Sequence, residues 1–257
     1  MYLGLDLGTS ALKAVLLAGD GHIVAQRSAP LDVSRLHPQW SEQSPADWWR
    51  ALTIALDELA RAHLWNDGRS EPQCAKLTER VLRLAHIAGN LAMPGFTAPK
   101  LLWVRDHEPQ VFARVAKVLL PEDWLRYRLS GEFFTDCSDA SGTLWLDVGA
   151  CAWSDELPAA CGMTRAHMPQ LVEGSAPAGR LTKDIAERFG LTSDIVIAGG
   201  GGDNAASAVG MGTIAPGDGF VSLGTSGVIF LSGTASCPRP SPLCTRSAMR
   251  SPAPGTR

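Results

Sequence analysis

Asp6-Leu7-Gly8-Thr9-Ser10 near the start of the chain and Gly224-Thr225-Ser226-Gly227 near its end decide how this sequence is read. The first follows an apolar run from Tyr2. A strand there brings a carboxylate to its end, a glycine permits a tight turn, and two hydroxyls and exposed backbone N–H groups follow. Such a set suits a metal-bound phosphate, and it suits an ordinary hairpin turn equally well. The second stretch, flanked by the apolar runs 219–223 and 228–231, repeats the same chemistry. The chain contains a start, and later a second start.

Working outward from the first stretch, Tyr2–Asp6, Leu12–Ala18 and His22–Leu31 are apolar, β-branched or alternating, and Gly8-Thr9-Ser10 and Gly19-Asp20-Gly21 separate them, which predicts a three-stranded meander. Ser44-Pro45-Ala46-Asp47 then offers a cap, a proline at the first helical position and an acid in the first turn. Trp48, Leu52, Ala55 and Leu59 follow at helical spacing, so a helix is expected from about 45 to 62. Sheet order calls for a further strand next, yet Leu64-Trp65-Asn66-Asp67-Gly68-Arg69 reads as loop. Residues 76–130 read as mainly helical, including Ala98–His107 and Pro121–Ser130. A short strand is expected at Glu132–Asp136, and further helices near Asp155–Cys161 and Lys183–Phe189.

Working backward from the second stretch, the apolar run Asp194–Ala198 enters Gly199-Gly200-Gly201-Gly202-Asp203, and Asn204–Met211 has helical composition. Strand, glycine turn and helix in that order present a carboxylate at a helix N-terminus with no side chains to obstruct a hydroxyl or a phosphate. The same residues would also serve as a plain helix cap.

Bulk composition narrows the classes. The chain has 257 residues, 45% of them hydrophobic and 19% charged, with a formal net charge of −3. That is a globular composition without the basic patch of a nucleic-acid binder or a membrane-surface helix. The first residues lack a secretory signal, and no apolar run is long enough to span a bilayer. Six cysteines without a Cys-x-x-Cys spacing or a His cluster are read as reduced thiols of a cytoplasmic protein.

Gly95-Phe96-Thr97-Ala98-Pro99-Lys100-Leu101-Leu102-Trp103-Val104-Arg105-Asp106-His107 resembles the signature segment of the FGGY carbohydrate kinases. Trp40-Ser41-Glu42-Gln43, Trp65-Asn66-Asp67-Gly68-Arg69, Ser138-Asp139-Ala140 and Gly142-Thr143-Leu144-Trp145 resemble the bacterial xylulokinases of that family rather than its glycerol kinases. The resemblance covers residues 1 to about 231. It implies an α/β fold: a ribonuclease H-like domain of the actin-like ATPase and sugar-kinase type over 1–213, then only the opening hairpin of a second such domain at 214–231. It also implies transfer of a phosphoryl group from ATP, with Mg²⁺, to D-xylulose or a related ketose, and allows a homodimer in the intact family. Asp203 would be the catalytic base and Asn204 would help to orient the sugar. Asp6, Gly8, Thr9 and Ser10 would hold phosphate and the metal, with Asp6 its carboxylate, and Gly224, Thr225 and Ser226 would cover the phosphates from the second lobe. Trp103 and Lys100 are read as packing and surface elements, and Trp48 and Trp49 as core.

Two departures bear on activity. Between Ala62-His63 and Leu64-Trp65 the xylulokinases carry a strand and a Gly-Gln-Met-His-Gly loop that this sequence lacks, and after Leu231 almost the whole nucleotide-binding domain is absent. Residues 232–257 hold five Pro, four Arg, five Ser and no acid, and are expected to be disordered. Impaired or absent turnover is the expectation for this chain. The alternatives are a kinase for another ketose or polyol, and a non-catalytic sugar-binding remnant.

Overall fold

The computed structural model describes residues 2–37, 39–54, 62–63, 68–213, 215–223 and 227–233. The meander forms as expected. Strands β1 (Tyr2–Leu7), β2 (Ala11–Leu17) and β3 (Ile23–Pro30) pair antiparallel in that order, with Asp6 opposite Lys13 and Leu7 opposite Leu12. The Gly8 N–H donates to the Ala11 carbonyl at 3.0 Å and closes the first turn. Among the described residues β2 is β1's one neighbour in the sheet, and Tyr2 and Leu3 on it are exposed.

Two-residue strand β4 (Glu42–Gln43) leads into helix α1 (Pro45–Ile54), whose first turn is fixed by the Ser44 hydroxyl accepting from the Ala46 N–H at 3.2 Å. Trp48, Trp49, Ala51 and Leu52 face inward on α1 and pack with Leu12, Ala29 and Leu31 of the meander face, which buries one apolar cluster. The expected helical end at residue 62 is corrected: Ala62–His63 is strand β5, antiparallel to β4, because its backbone is taken up by Glu42–Gln43. Residues 55–61 of that expected helix, Trp65-Asn66-Asp67, the site of the absent loop at 63–64 beyond His63, and the tail from 234 lie outside the described residues.

A second, separate apolar cluster forms from helices α2 (Glu71–Arg80), α3 (Leu84–Ala88) and α4 (Thr97–His107) together with Leu144, Trp145, Leu157 and Cys161. Helix α4 is the signature segment. It buries Ala98, Pro99, Leu101 and Leu102, while Lys100 reaches back to the Gly95 carbonyl. Trp103, also on α4, joins a cluster of aromatic rings around a cation. It stacks on His107 at 4.6 Å and meets Trp40 edge-on at 6.0 Å, and the Arg69 guanidinium sits 3.7 Å from the Trp40 ring centre and 4.9 Å from that of Trp103. Glu42 neutralises Arg69 at 2.9 Å.

Helices α5 (Pro109–Phe112) and α6 (Pro121–Ser130) lead to strand β6 (Phe134–Asp136), two residues shorter than expected, and helix α7 (Cys137–Ala140). Strands β7 (Leu146–Asp147) and β8 (Ala152–Trp153) form a small hairpin before helix α8 (Glu156–Ala160), and β9 (Gln170–Val172) runs parallel to β6. Strand β10 (Pro177–Arg180), helix α9 (Lys183–Arg188) and strand β11 (Val196–Ala198) follow, β10 and β11 pairing antiparallel. Helix α10 (Asp203–Gly210) comes next. Strands β12 (Gly219–Leu223) and β13 (Gly227–Leu231) close the described chain as a hairpin with Phe220 stacked on Phe230 at 5.1 Å. No helix among the described residues is long and apolar enough to cross a membrane.

Candidate active site

The turn from β11 to α10 carries Asp203, the first residue of that helix. Gly199 is buried. Its N–H donates to the Ala176 carbonyl at 2.9 Å, and a Cβ there would lie 2.6 Å from the Glu173 carbonyl oxygen, so only glycine fits this close approach. Gly200 has φ +79°, in the left-handed region that favours glycine, and donates to the Gly174 carbonyl at 2.9 Å. The Gly202 N–H donates to Ser138 Oγ at 3.0 Å. The next side chain out is Asp203, exposed, with its Oδ1 accepting from the Asn204 N–H at 2.7 Å and from Asn204 Nδ2 at 3.0 Å. A carboxylate at a helix N-terminus, facing solvent and free of neighbouring bulk, can accept a proton from a bound hydroxyl.

The scaffold beneath the turn is polar and buried. Asp136 caps α7 by accepting from the Ser138 N–H at 2.6 Å and the Asp139 N–H at 3.2 Å, and its Oδ2 also accepts a hydrogen bond from the Ser138 hydroxyl. Asp123 accepts from the Leu120 N–H at 3.0 Å and from Arg126 Nη1 at 2.8 Å. Burial pushes the Asp123 carboxyl up to about 7 against the pull of the Arg126 guanidinium. Burial likewise raises Asp136. It raises Glu122 well above the carboxylate range, helped by the charge of Asp139 and a hydrogen bond with it.

At the first hairpin, Asp6 stands exposed at the end of β1 with Lys13 at 3.5 Å. The Thr9 carbonyl accepts from Gln43 Nε2 at 2.7 Å, while Gln43 Oε1 accepts from the Trp48 indole at 2.8 Å. Ser10 is exposed, and its carbonyl accepts from the Leu31 N–H at 2.9 Å. One carboxylate and two neighbouring hydroxyls are hard oxygen donors of the kind Mg²⁺ takes, mostly through water. Asp203 and Asn204 are brought into contact. No hydrogen bond joins Asp6 to Asp203, and Gly224, Thr225 and Ser226 lie outside the described residues.

Sequence reasoning missed Gln43, Asp123, Arg126, Asp136 and Ser138. Asp123 and Arg126 lie three apart on α6, a spacing that does not by itself mark a buried pair. Ser138 was visible only as part of a motif without a role.

Comparison with known proteins bears on the whole arrangement. The model of the FGGY family of carbohydrate kinases, N-terminal domain, matches residues 1–63 and 55–210. A xylulose kinase of Klebsiella pneumoniae is 47% identical over 261 positions, which cover 90% of this chain and 54% of that protein. Because 261 positions exceed the residues this chain contributes, the relative carries segments with no counterpart here. Among solved structures, a xyloylose kinase from Brucella ovis superposes with TM-score 0.84 at 47% identity, over 89% of this chain and 54% of that one. A xylulose kinase from Rhodospirillum rubrum gives 0.84 at 27% identity, over 92% and 56%. The chain thus spans about half the length of the curated relatives it matches, and its fold is that of the ribonuclease H-like sugar kinases. With the family model matched over most of its length, signature helix and glycine turn included, the chain belongs to the FGGY family of carbohydrate kinases.

Proposed function

We propose that this chain serves ATP-dependent phosphorylation of D-xylulose to D-xylulose 5-phosphate and carries the sugar-side half of that chemistry. The observation that carries the reading is Asp203, presented to solvent at the start of α10 by four glycines in a chain 47% identical to a xylulose kinase. In this reading Asp203 accepts the proton of the attacking sugar hydroxyl. The new O–P bond forms to the γ-phosphorus as the β,γ-bridging P–O bond breaks, and ADP leaves. Asn204 fixes the Asp203 carboxylate and orients the sugar. Asp6, Thr9 and Ser10, with Gly8 making their turn, line the phosphate side. Gly224, Thr225 and Ser226 cover it from the second hairpin. Mg²⁺, when bound, neutralises phosphate charge, and Asp6 with the two hydroxyls would hold it through water.

The proposed division is a sugar-binding domain over 1–213 lacking a segment near 63–64, followed by an opening hairpin at 214–231. The family match in two stretches supports the first part. Free thiols at Cys74, Cys137, Cys151 and Cys161 support a cytoplasmic setting.

A second reading is that the chain holds the sugar without turning it over. Both are tested on the purified 257-residue chain with saturating MgATP and D-xylulose, by coupled ADP release and by calorimetric sugar binding. Turnover that falls at least roughly hundredfold in Asp203→Asn, and is abolished in Asp203→Ala, supports the kinase reading. Sugar binding without turnover supports the second, and neither signal refutes both.

A further inference from the structure

We propose that Arg126 is a positioning residue whose guanidinium locks the glycine turn 199–202 to α6 and β6 and so sets where Asp203 stands. The inference rests on the reading of Asp203 as proton acceptor. Arg126 is buried, 6% exposed, and its fork is divided among three separate segments. Nη1 donates to Asp123 Oδ1 at 2.8 Å and to the Phe134 carbonyl at 2.9 Å, and Nη2 donates to the Gly199 carbonyl. Asp123 is itself pinned to the Leu120 N–H, so the carboxyl that holds the guanidinium is fixed in place.

A buried ion pair is a poor way to gain stability, since apolar side chains of the same volume do as well or better. What the guanidinium supplies is geometry. A planar cation with five donors can serve one carboxylate and two carbonyls at once, whereas an ammonium is a point charge on a flexible stem. The turn packs directly on it, because a Cβ at Gly200 would lie 3.3 Å from Nη2. Ser138 holds the far end through the Gly202 N–H, and Asp136 holds Ser138. The turn is therefore gripped at its first and last glycines by side chains from the α6–β6–α7 unit, and Asp203 is the next residue along the chain.

The test compares Arg126→Lys and Arg126→Met with the parent 257-residue chain. Three quantities are read: the melting temperature, hydrogen exchange of the amides at 199–202, and D-xylulose affinity. Lys keeps a charge beside Asp123 and cannot span the remaining partners. The expected result is that Arg126→Lys melts near the parent while the turn amides exchange about tenfold faster or more, the ratio that corresponds to one lost hydrogen bond of about 1.4 kcal/mol. Exchange in α4, in the other apolar cluster, stays unchanged, and sugar binding weakens by a similar factor. Arg126→Met is expected to show the same local loosening with a lower melting temperature. If Lys restores both stability and turn protection, Arg126 only neutralises Asp123 and the proposal is overturned. It is equally overturned if exchange rises everywhere in Arg126→Lys, or if the turn is unmoved in both variants. A parent that binds no D-xylulose refutes the functional reading and leaves the exchange comparison to decide the positioning role.

Discussion

Replacing Gly199 by Ala tests whether the glycine turn is required by packing. The added Cβ would lie 2.6 Å from the Glu173 carbonyl oxygen, 3.0 Å from Val172 Cγ2 and 3.2 Å from Gly174 Cα. Carbon atoms pack favourably at about 3.5–4.0 Å, so the turn and the segment after β9 must move apart by several tenths of an ångström. Two of the three obstructing atoms are backbone and cannot rotate away. Overpacking of this kind costs about 1–3 kcal/mol, and loosening the Gly199 and Gly200 hydrogen bonds adds roughly 1 kcal/mol. A loss of about 2–4 kcal/mol corresponds to a fall in melting temperature of roughly 4–16 °C in a chain of this size. The control is Gly210→Ala at the end of α10, the helix that follows the turn, where nothing lies within 4 Å of the new methyl group. It should be neutral or stabilise by up to about 1 kcal/mol. Urea unfolding of both variants beside the parent gives the comparison. If Gly199→Ala unfolds with the parent, or Gly210→Ala falls with it, close approach is not what selects glycine at 199.

Gln43→Leu leaves the Thr9 carbonyl and the buried Trp48 indole without their partner, and should cost about 2–4 kcal/mol by urea unfolding. A variant within experimental error of the parent would show that the tether from α1 to the first hairpin carries no energy. Glu122 has a folded pKa raised by burial and by Asp139, so the folded chain keeps a proton that the unfolded chain has lost. That contribution is fully present below the unfolded value near 4.5 and is lost as pH rises toward the folded one. Glu122→Gln should therefore gain stability over the parent as pH rises above the unfolded value near 4.5, and parallel pH curves for the two would refute the buried-acid account.

The meander, α1, α4, α6 and the strand–turn–helix around Asp203 were legible because each is written in local chemistry: turn glycines, a proline-led cap, or a helical apolar stripe. Strand β10 was not. Pro177-Ala178-Gly179-Arg180 has no strand character of its own and becomes a strand because β11 supplies hydrogen-bonding partners. Parallel β9 escaped notice for the same reason, its pairing with β6 being set across a long separation in sequence. At the site, Asp203 stood out because four glycines precede it. Arg126, by contrast, has carbonyl partners at Phe134 and Gly199 that no helical spacing announces.

The contact of Arg69 with Trp40 and Trp103 makes the choice of denaturant informative. There a cation, paired with Glu42, is lodged against two indoles. Guanidinium chloride dissolves in the sample the same planar cation that Arg69 carries on its side chain, so it competes for the indole faces as well as weakening apolar burial, and it screens the Glu42 pair. Urea, being uncharged, does only the second. The expected outcome is that in guanidinium tryptophan fluorescence moves ahead of the loss of helix, whereas in urea the two change together.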